Sequence, residues 1–307
     1  MPIELLIPLL AAAVQSGTPI LYATLGEMIT ERSGVLNLGV EGMMMVGALS
    51  AFWISLVTGS PWLGFLMGGV CASMLAAVHA LVCLGFQGNQ VVSGLALTIL
   101  GVGLANYLGT PLVGTQGIGF SKFSLPVLAD IPVLGPILFS HDVLVYLSFG
   151  LPVLIWAFFR HTRLGLHLRS VGENPVAAAT AGLNVVGLRW LGVTLGGFLV
   201  GLGGAYLSLA YIHLWTSGLT AGRGWIAVAL VIFSFWRPGR AVFGAYLFGG
   251  VMAFQLRLQA MGTDIPSSIL MMLPYALTIL VLIASTMTGR GGGQAPAALG
   301  VNMEPEE

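Results

Sequence analysis

Residues 63–86 read LGFLMGGVCASMLAAVHALVCLGF, a run without a single Asp, Glu, Lys or Arg. As a helix rising about 1.5 Å per residue it spans about 36 Å, enough to cross a bilayer core of roughly 30 Å. The same reading extends outward in both directions. Apolar runs separated by polar or Gly/Pro punctuation fall at 5–26, 42–58, 63–86, 90–109, 143–159, 189–212, 224–236, 241–259 and 267–287. The expected fold is therefore all-α, a polytopic transmembrane bundle of about nine spans, with eight to ten allowed because the seventh run is short. Residues 1–288 form one membrane domain in this reading. The Gly/Ala/Pro-rich, acid-ending stretch 289–307 reads as a disordered tail.

Composition agrees. Of 307 residues, 57% are hydrophobic and 7% charged, mean hydropathy is +0.96, and 11 basic side chains balance 11 acidic ones. A water-exposed domain carries about 25% charge, and a nucleic-acid binder needs a basic excess to meet phosphates; both are excluded. The 44 glycines suit close-packed membrane helices. Pairs such as Gly64/Gly68, Gly101/Ala105/Gly109 and Gly192/Gly196 are expected at helix contacts. Cys71 and Cys83 lack metal-site or disulfide spacing.

Basic residues collect on cytoplasmic loops. Arg160, Arg163, Arg169 and Arg189 flank one loop, and alternation places Arg32, Arg237, Arg240 and Arg290 on the same side, opposite Lys122, Arg223 and Arg257. That asymmetry predicts an outside N-terminus and an inside C-terminus. The long connection 110–142 is then external, and its length points to a short interfacial or re-entrant segment.

No nucleotide-binding loop ending in GK[ST] occurs, since the lone lysine is Lys122 within FSKFS; HExxH and GxSxG are also missing. Catalysis by this chain is not expected, and no cofactor or metal is implied. Two polar stretches stand out instead. Residues 26–47, GEMITERSGVLNLGVEGMMMVG, interrupt an apolar run with Gly34, Gly39 and Gly42, and place Asn37 and Glu41 four residues apart on one helical face. Such a break at membrane depth has to be buried in protein or face water. It reads either as a feature of a solute path or as a plain loop. Residues 172–182, GENPVAAATAG, form a short helix between a cap at Asn174, Pro175 at the first helical position, and Gly182 as terminator. At two turns it needs a surface to pack against. Further polar groups within or beside the apolar runs, Gln15, Asn89, Gln90, Asn106 and Gln255, either line a path for a polar solute or hold helices together.

Four motifs in order, SGVLNLGVEGMMMVGAL (33–49), GENPVAAATAGLNV (172–185), TAGRGWIAVALVIFSFWRPGRAVFGAYLFG (220–249) and LPYALTILVL (273–282), resemble the inner-membrane permease subunits of ABC importers for simple sugars and nucleosides, kin of the ribose and branched-chain amino acid permeases. The opening LGEMITERSGVLNLGVEG resembles the smaller of two paired nucleoside-type permeases. The resemblance covers about residues 20–285. It implies a bacterial inner-membrane protein working as a heterodimer with a second permease, an ATPase subunit bearing two nucleotide-binding domains, and an extracytoplasmic binding lipoprotein. It further implies that the loop of Gly172, Glu173, Asn174, Pro175, Ala177, Ala178, Ala179 and Gly182 couples to that ATPase. Asn37, Glu41, Asn89, Gln90 and Asn106 are the expected path residues. An ion-coupled carrier using Glu41 is the competing reading. Ser234, Phe235 and Trp236 stand where the family pattern has a Gly-containing turn.

Overall fold

Peptide groups in hydrocarbon have no water to bond, so an apolar run that long satisfies them internally as a helix. The computed structural model, whose described residues are 3–263, 265–287 and 295–302, is almost wholly helical. In chain order the helices are α1 (Ile3–Arg32), α2 (Val40–Thr58), α3 (Pro61–Ala80), α4 (Gln90–Gly109), α5 (Leu134–Leu138), α6 (Val143–His161), α7 (Arg163–Glu173) and α8 (Pro175–Thr180). They continue as α9 (Val185–Tyr206), α10 (Arg223–Phe233), α11 (Pro238–Ala260), α12 (Ser267–Met271) and α13 (Leu273–Met287). Wider π turns prolong α3 over Leu81–Gly85 and α9 over Leu207–Tyr211.

Among the described residues 7 helices are long and apolar enough to cross a membrane: α1, α2, α3, α4, α6, α9 and α11. The two remaining runs appear as shorter apolar helices, α10 and the pair α12–α13. α10 has 11 residues, about 16 Å or half a bilayer core. It is a half-helix, and what lies at its inner end decides the centre of the molecule.

Helices α1 and α9 occupy the middle, α1 packed on α9 and α11, and α2 on α3 and α9. Glycine sets the spacing. A Cβ on Gly47 would lie 2.6 Å from the Gly201 carbonyl oxygen, one on Gly201 2.5 Å from the Gly68 oxygen, and one on Gly68 2.8 Å from the Gly47 oxygen. Backbones of α2, α3 and α9 thus touch directly, which maximises packing where lipid offers no hydrophobic drive. The other expected small-residue contacts behave alike: a Cβ on Gly64 meets the Ala51 carbonyl, one on Gly101 meets Gly42, and one on Gly192 meets Ser33. Helix α4 lies at the flank and leaves Val92, Ile99 and Tyr107 largely exposed.

The connection 110–142 is ordered. Phe123–Ser124 pairs antiparallel with Ser140–His141. Residues 113–120 run beside the end of α9, with Gly117 N donating to His213 O (2.9 Å) and Phe120 N to Leu209 O (2.8 Å).

The tail differs from expectation. Residues 289–294 and 303–307 lie outside the described residues, but 295–302, read from composition as disordered, form a strap across the Arg-rich end. Ala298 N donates to Gly172 O (2.9 Å) and Gly300 N to Gly34 O (3.3 Å). Arg189 donates to Val301 O (3.2 Å), and Asn302 Nδ2 to Gln87 O (2.7 Å). Ala298 is buried and Leu299 packs against the core. Composition does not show this because the strap is held by its own backbone groups and by Arg189, Gln87 and Gln90 from distant parts of the chain.

Candidate functional site

The sequence between α1 and α2 cannot stay helical: Gly34 has φ +89°, and the chain leaves the helix for residues 35–37. Its freed peptide groups are taken up by side chains from three helices. Asn37 N donates to Glu27 Oε1 (3.2 Å), and Leu36 N to Gln90 Oε1 (2.7 Å). Thr98 Oγ1 donates to Leu38 O (2.8 Å), and a His79 ring nitrogen lies 3.1 Å from Leu36 O. The other His79 nitrogen pairs with Ser93 Oγ at 2.9 Å. Asn37 closes the turn on itself, Oδ1 accepting from Gly39 N at 2.9 Å. Irregular backbone survives here because protein, not lipid, satisfies it.

Glu41 follows in the first turn of α2 and is almost wholly buried. Oε1 accepts from Thr220 Oγ1 (2.6 Å) and Gly222 N (2.8 Å), and Oε2 accepts from Gly224 N (2.6 Å). The two amides are orphan donors at the start of α10, so one carboxylate caps the half-helix and meets its positive dipole end. Gly222, at φ +80°, and Gly224 admit it: a Cβ on Gly224 would sit 2.5 Å from Glu41 Cα. From this cap α10 descends about 16 Å to a turn held by α1. There Trp236 Nε1 donates to Glu31 Oε2 (2.7 Å) and Arg32 donates to Trp236 O (2.7 Å). Glu41 therefore sits near half depth. The turn is made by Phe235 and Trp236 at φ 52° and 54°. Non-glycine residues do occupy the place of the family's Gly-containing turn, and the buried indole bond holds them in a conformation costing about 1–2 kcal/mol per residue.

The five expected path residues do not converge. Asn37 and Gln90 are buried at the break, Gln90 also donating to Asn302 Oδ1 of the strap (3.0 Å). Asn89 is exposed and caps α4 through Val92 N (3.0 Å). Asn106, seventeen residues on and about 25 Å away along the helix, accepts from Gly218 N (3.1 Å). Reading single residues missed Thr220, Gly222, Gly224 and His79, whose partners lie far off in the chain; the Gly–Arg–Gly after Thr220 was the available signal.

The GENP stretch forms α8, with Asn174 Oδ1 accepting from Ala177 N (2.9 Å) and Gly182 at φ +80°. The surface it needs comes partly from its own chain. Ala178 is buried against Val171 and Val185, whereas Val176, Ala177 and Ala179 are exposed. Of the three alanines expected to face a partner, Ala178 faces inward.

A polytopic helix bundle with a half-helix at its centre, an ordered cover at one end and a capped loop helix at the other is the build of a membrane permease. The chain belongs to the family described as branched-chain amino acid transport system / permease component, matched over residues 9–282. It is 48% identical over 257 residues to the putative glucose ABC transporter permease TsgC13 of Haloferax volcanii (82% of this chain, 78% of the other). It is 36% identical to the nucleoside ABC transporter permease NupC of Lactococcus lactis (93% of each) and 34% identical to the guanosine ABC transporter permease NupQ of Bacillus subtilis (97% of each). A second Bacillus subtilis guanosine permease, NupP, matches at 22% over 88% of this chain and 78% of its own length. No solved structure matches. The protein is a multi-pass membrane subunit of an ABC transporter, and such permeases are not themselves enzymes.

Proposed function

We propose that this subunit imports a small neutral polar solute, a nucleoside or a simple sugar, through a passage between itself and a second, homologous permease. The carrying observation is the state of Glu41. The acid at half depth is engaged on both oxygens by three donors, and the half-helix end that would attract an anion is occupied by it. The carboxylate is thus committed to the start of α10 rather than to a coupling ion, with the buried Arg223 beside it balancing its charge, while neutral polar groups remain on the flank of α4. Asn89 and Asn106 border the passage on that flank, and Asn37, Glu41 and Gln90 shape it from the break between α1 and α2. The names of TsgC13, NupC and NupQ favour the same two cargo classes.

In this reading the Arg-rich end is cytoplasmic and the membrane is a bacterial inner membrane, with the N-terminus outside and the C-terminus inside. An extracytoplasmic binding lipoprotein delivers the solute. An ATPase subunit with two nucleotide-binding domains seats against the exposed face of α8 between Gly172 and Gly182. The NupQ/NupP pair favours a heterodimer over two copies of this chain.

The test is uptake of labelled nucleoside and glucose into vesicles bearing the reconstituted complex. Uptake that requires ATP and ignores imposed proton or sodium gradients supports the importer. Gradient-driven uptake without ATP would sink it and restore the carrier reading.

A further inference from the structure

At the Arg-rich end α1, α6, α7 and the α10–α11 turn line a half-open cavity of about 810 Å³. Arg32, Arg160, Arg169, Arg237 and Arg240 line it, against a single lining acid, Glu173. Glu173 is partly engaged by the strap, accepting from Ala297 N (3.3 Å). The nearby Glu31 is buried behind Trp236 and bonds its indole. Three of the five guanidiniums lie over rings. Arg160 lies over Trp156 (5.7 Å), Arg32 over Phe159 (5.8 Å) and Arg240 over Phe235 (5.1 Å). Arg32 Nε is buried without a partner.

A second cavity adjoins the first. Gly239 and Arg240 line both, and the second, about 440 Å³, runs up between α10, α11 and α13 along Phe243, Leu247 and Phe248. Its walls are almost entirely apolar. On the other flank Val153, Leu154 and Trp156 of α6 are exposed at the same level, the position of an interfacial aromatic belt. A cationic chamber that shares Gly239 and Arg240 with an apolar groove beside it has the polarity of one molecule type.

We propose that this compound cavity binds an anionic diacyl phospholipid, its phosphate among the five arginines and an acyl chain along Phe243 and Leu247. A basic pocket between helix ends is suited to such a headgroup. The apolar continuation, which a soluble anion or an acidic protein surface would leave empty, selects the lipid. The bound headgroup would join α6–α7, the arm carrying the capped loop, to the start of α11.

The experiment uses the assembled importer in nanodiscs of phosphatidylcholine with or without phosphatidylglycerol, transferred to detergent, with retained lipid read by native mass spectrometry. Wild type should retain phosphatidylglycerol in preference to phosphatidylcholine. Arg160→Gln with Arg240→Gln should cut that preference about thirtyfold, and the Arg→Lys pair should keep most of it. Phe243→Asn with Leu247→Asn should lower retention with every arginine present, and added inorganic phosphate should leave the lipid in place. Equal retention of the two lipids by wild type, or an unchanged preference in the glutamine pair, would overturn the proposal. Displacement by inorganic phosphate would reassign the chamber to a free anion. Loss of the ATPase from the glutamine pair with lipid preference intact would make the chamber a protein dock. None of these readouts measures transport, so they stand apart from the test of the importer.

Discussion

Replacing Glu41 with alanine should undo the start of α10 rather than remove an ion carrier. The carboxylate accepts from Thr220 Oγ1, Gly222 N and Gly224 N. The Thr220 hydroxyl can turn to another acceptor, but the two amide N–H groups are fixed by the helix, that of Gly224 buried and that of Gly222 partly so. Each orphaned buried donor costs about 1–3 kcal/mol, and the loss of a helix N-cap is of similar size. The first turn of α10 should therefore lose about 4 kcal/mol, close to a thousandfold in local opening. Glu41→Gln keeps one acceptor oxygen but turns an amide N–H2 toward a donor, so about half that loss is expected. The assay is hydrogen exchange of peptides covering 220–228 in the purified complex, run beside ATP-driven uptake. Faster exchange graded Ala above Gln, with uptake falling in the same order, is the expected result. Native exchange in Glu41→Ala together with abolished uptake would refute the capping argument, because the acid would then matter for chemistry and not for structure.

In α8, Asn174→Ala should cost about 1 kcal/mol of helix stability and weaken ATPase co-purification mildly. Ala177→Trp, on the exposed face, should block co-purification while leaving the loop folded, whereas Ala178→Trp should unseat the loop from Val171 and Val185; proteolysis within 172–185 separates the two. Asn302→Ala removes the strap's bonds to Gln90 and Gln87, worth about 1 kcal/mol each, and should raise exchange at 295–302; equal exchange would mean the strap is held elsewhere. Ala221 is exposed at φ 47°, so Ala221→Gly should gain roughly 0.5–1 kcal/mol in thermal stability. For orientation, single cysteines at Ser121 and Ala181, in a chain lacking Cys71 and Cys83, are probed in intact cells with an impermeant thiol reagent. Labelling at 121 and not at 181 is expected, and the reverse overturns the topology.

Much of this architecture is local in origin and therefore legible in order along the chain. Hydrophobic length alone marks α3 or α9 as a span, because a helix in lipid satisfies itself. The cap at Asn174 and the terminator at Gly182 act within four residues of themselves, so the short helix between them could be read without a partner. Backbone contact at Gly64, Gly68 and Gly101 follows from the absence of a side chain.

What the sequence left open are the pairings between distant residues. Whether Glu41 serves an ion or a helix end depends on Thr220, Gly222 and Gly224, some 180 positions away, and only packing of α2 on α10 brings them within 3 Å. Whether the break at 33–39 is a solvated loop depends on His79, Gln90 and Thr98 reaching its peptide groups from two other helices. Which alanine of α8 faces outward depends on where α7 and α9 lie. The tail misled for the same reason in reverse. A Gly/Ala/Pro stretch has too little apolar surface to fold by itself, yet its bare backbone fits between Gly34 and Gly172, where glycine on both sides leaves room for the carbonyls and amides to meet.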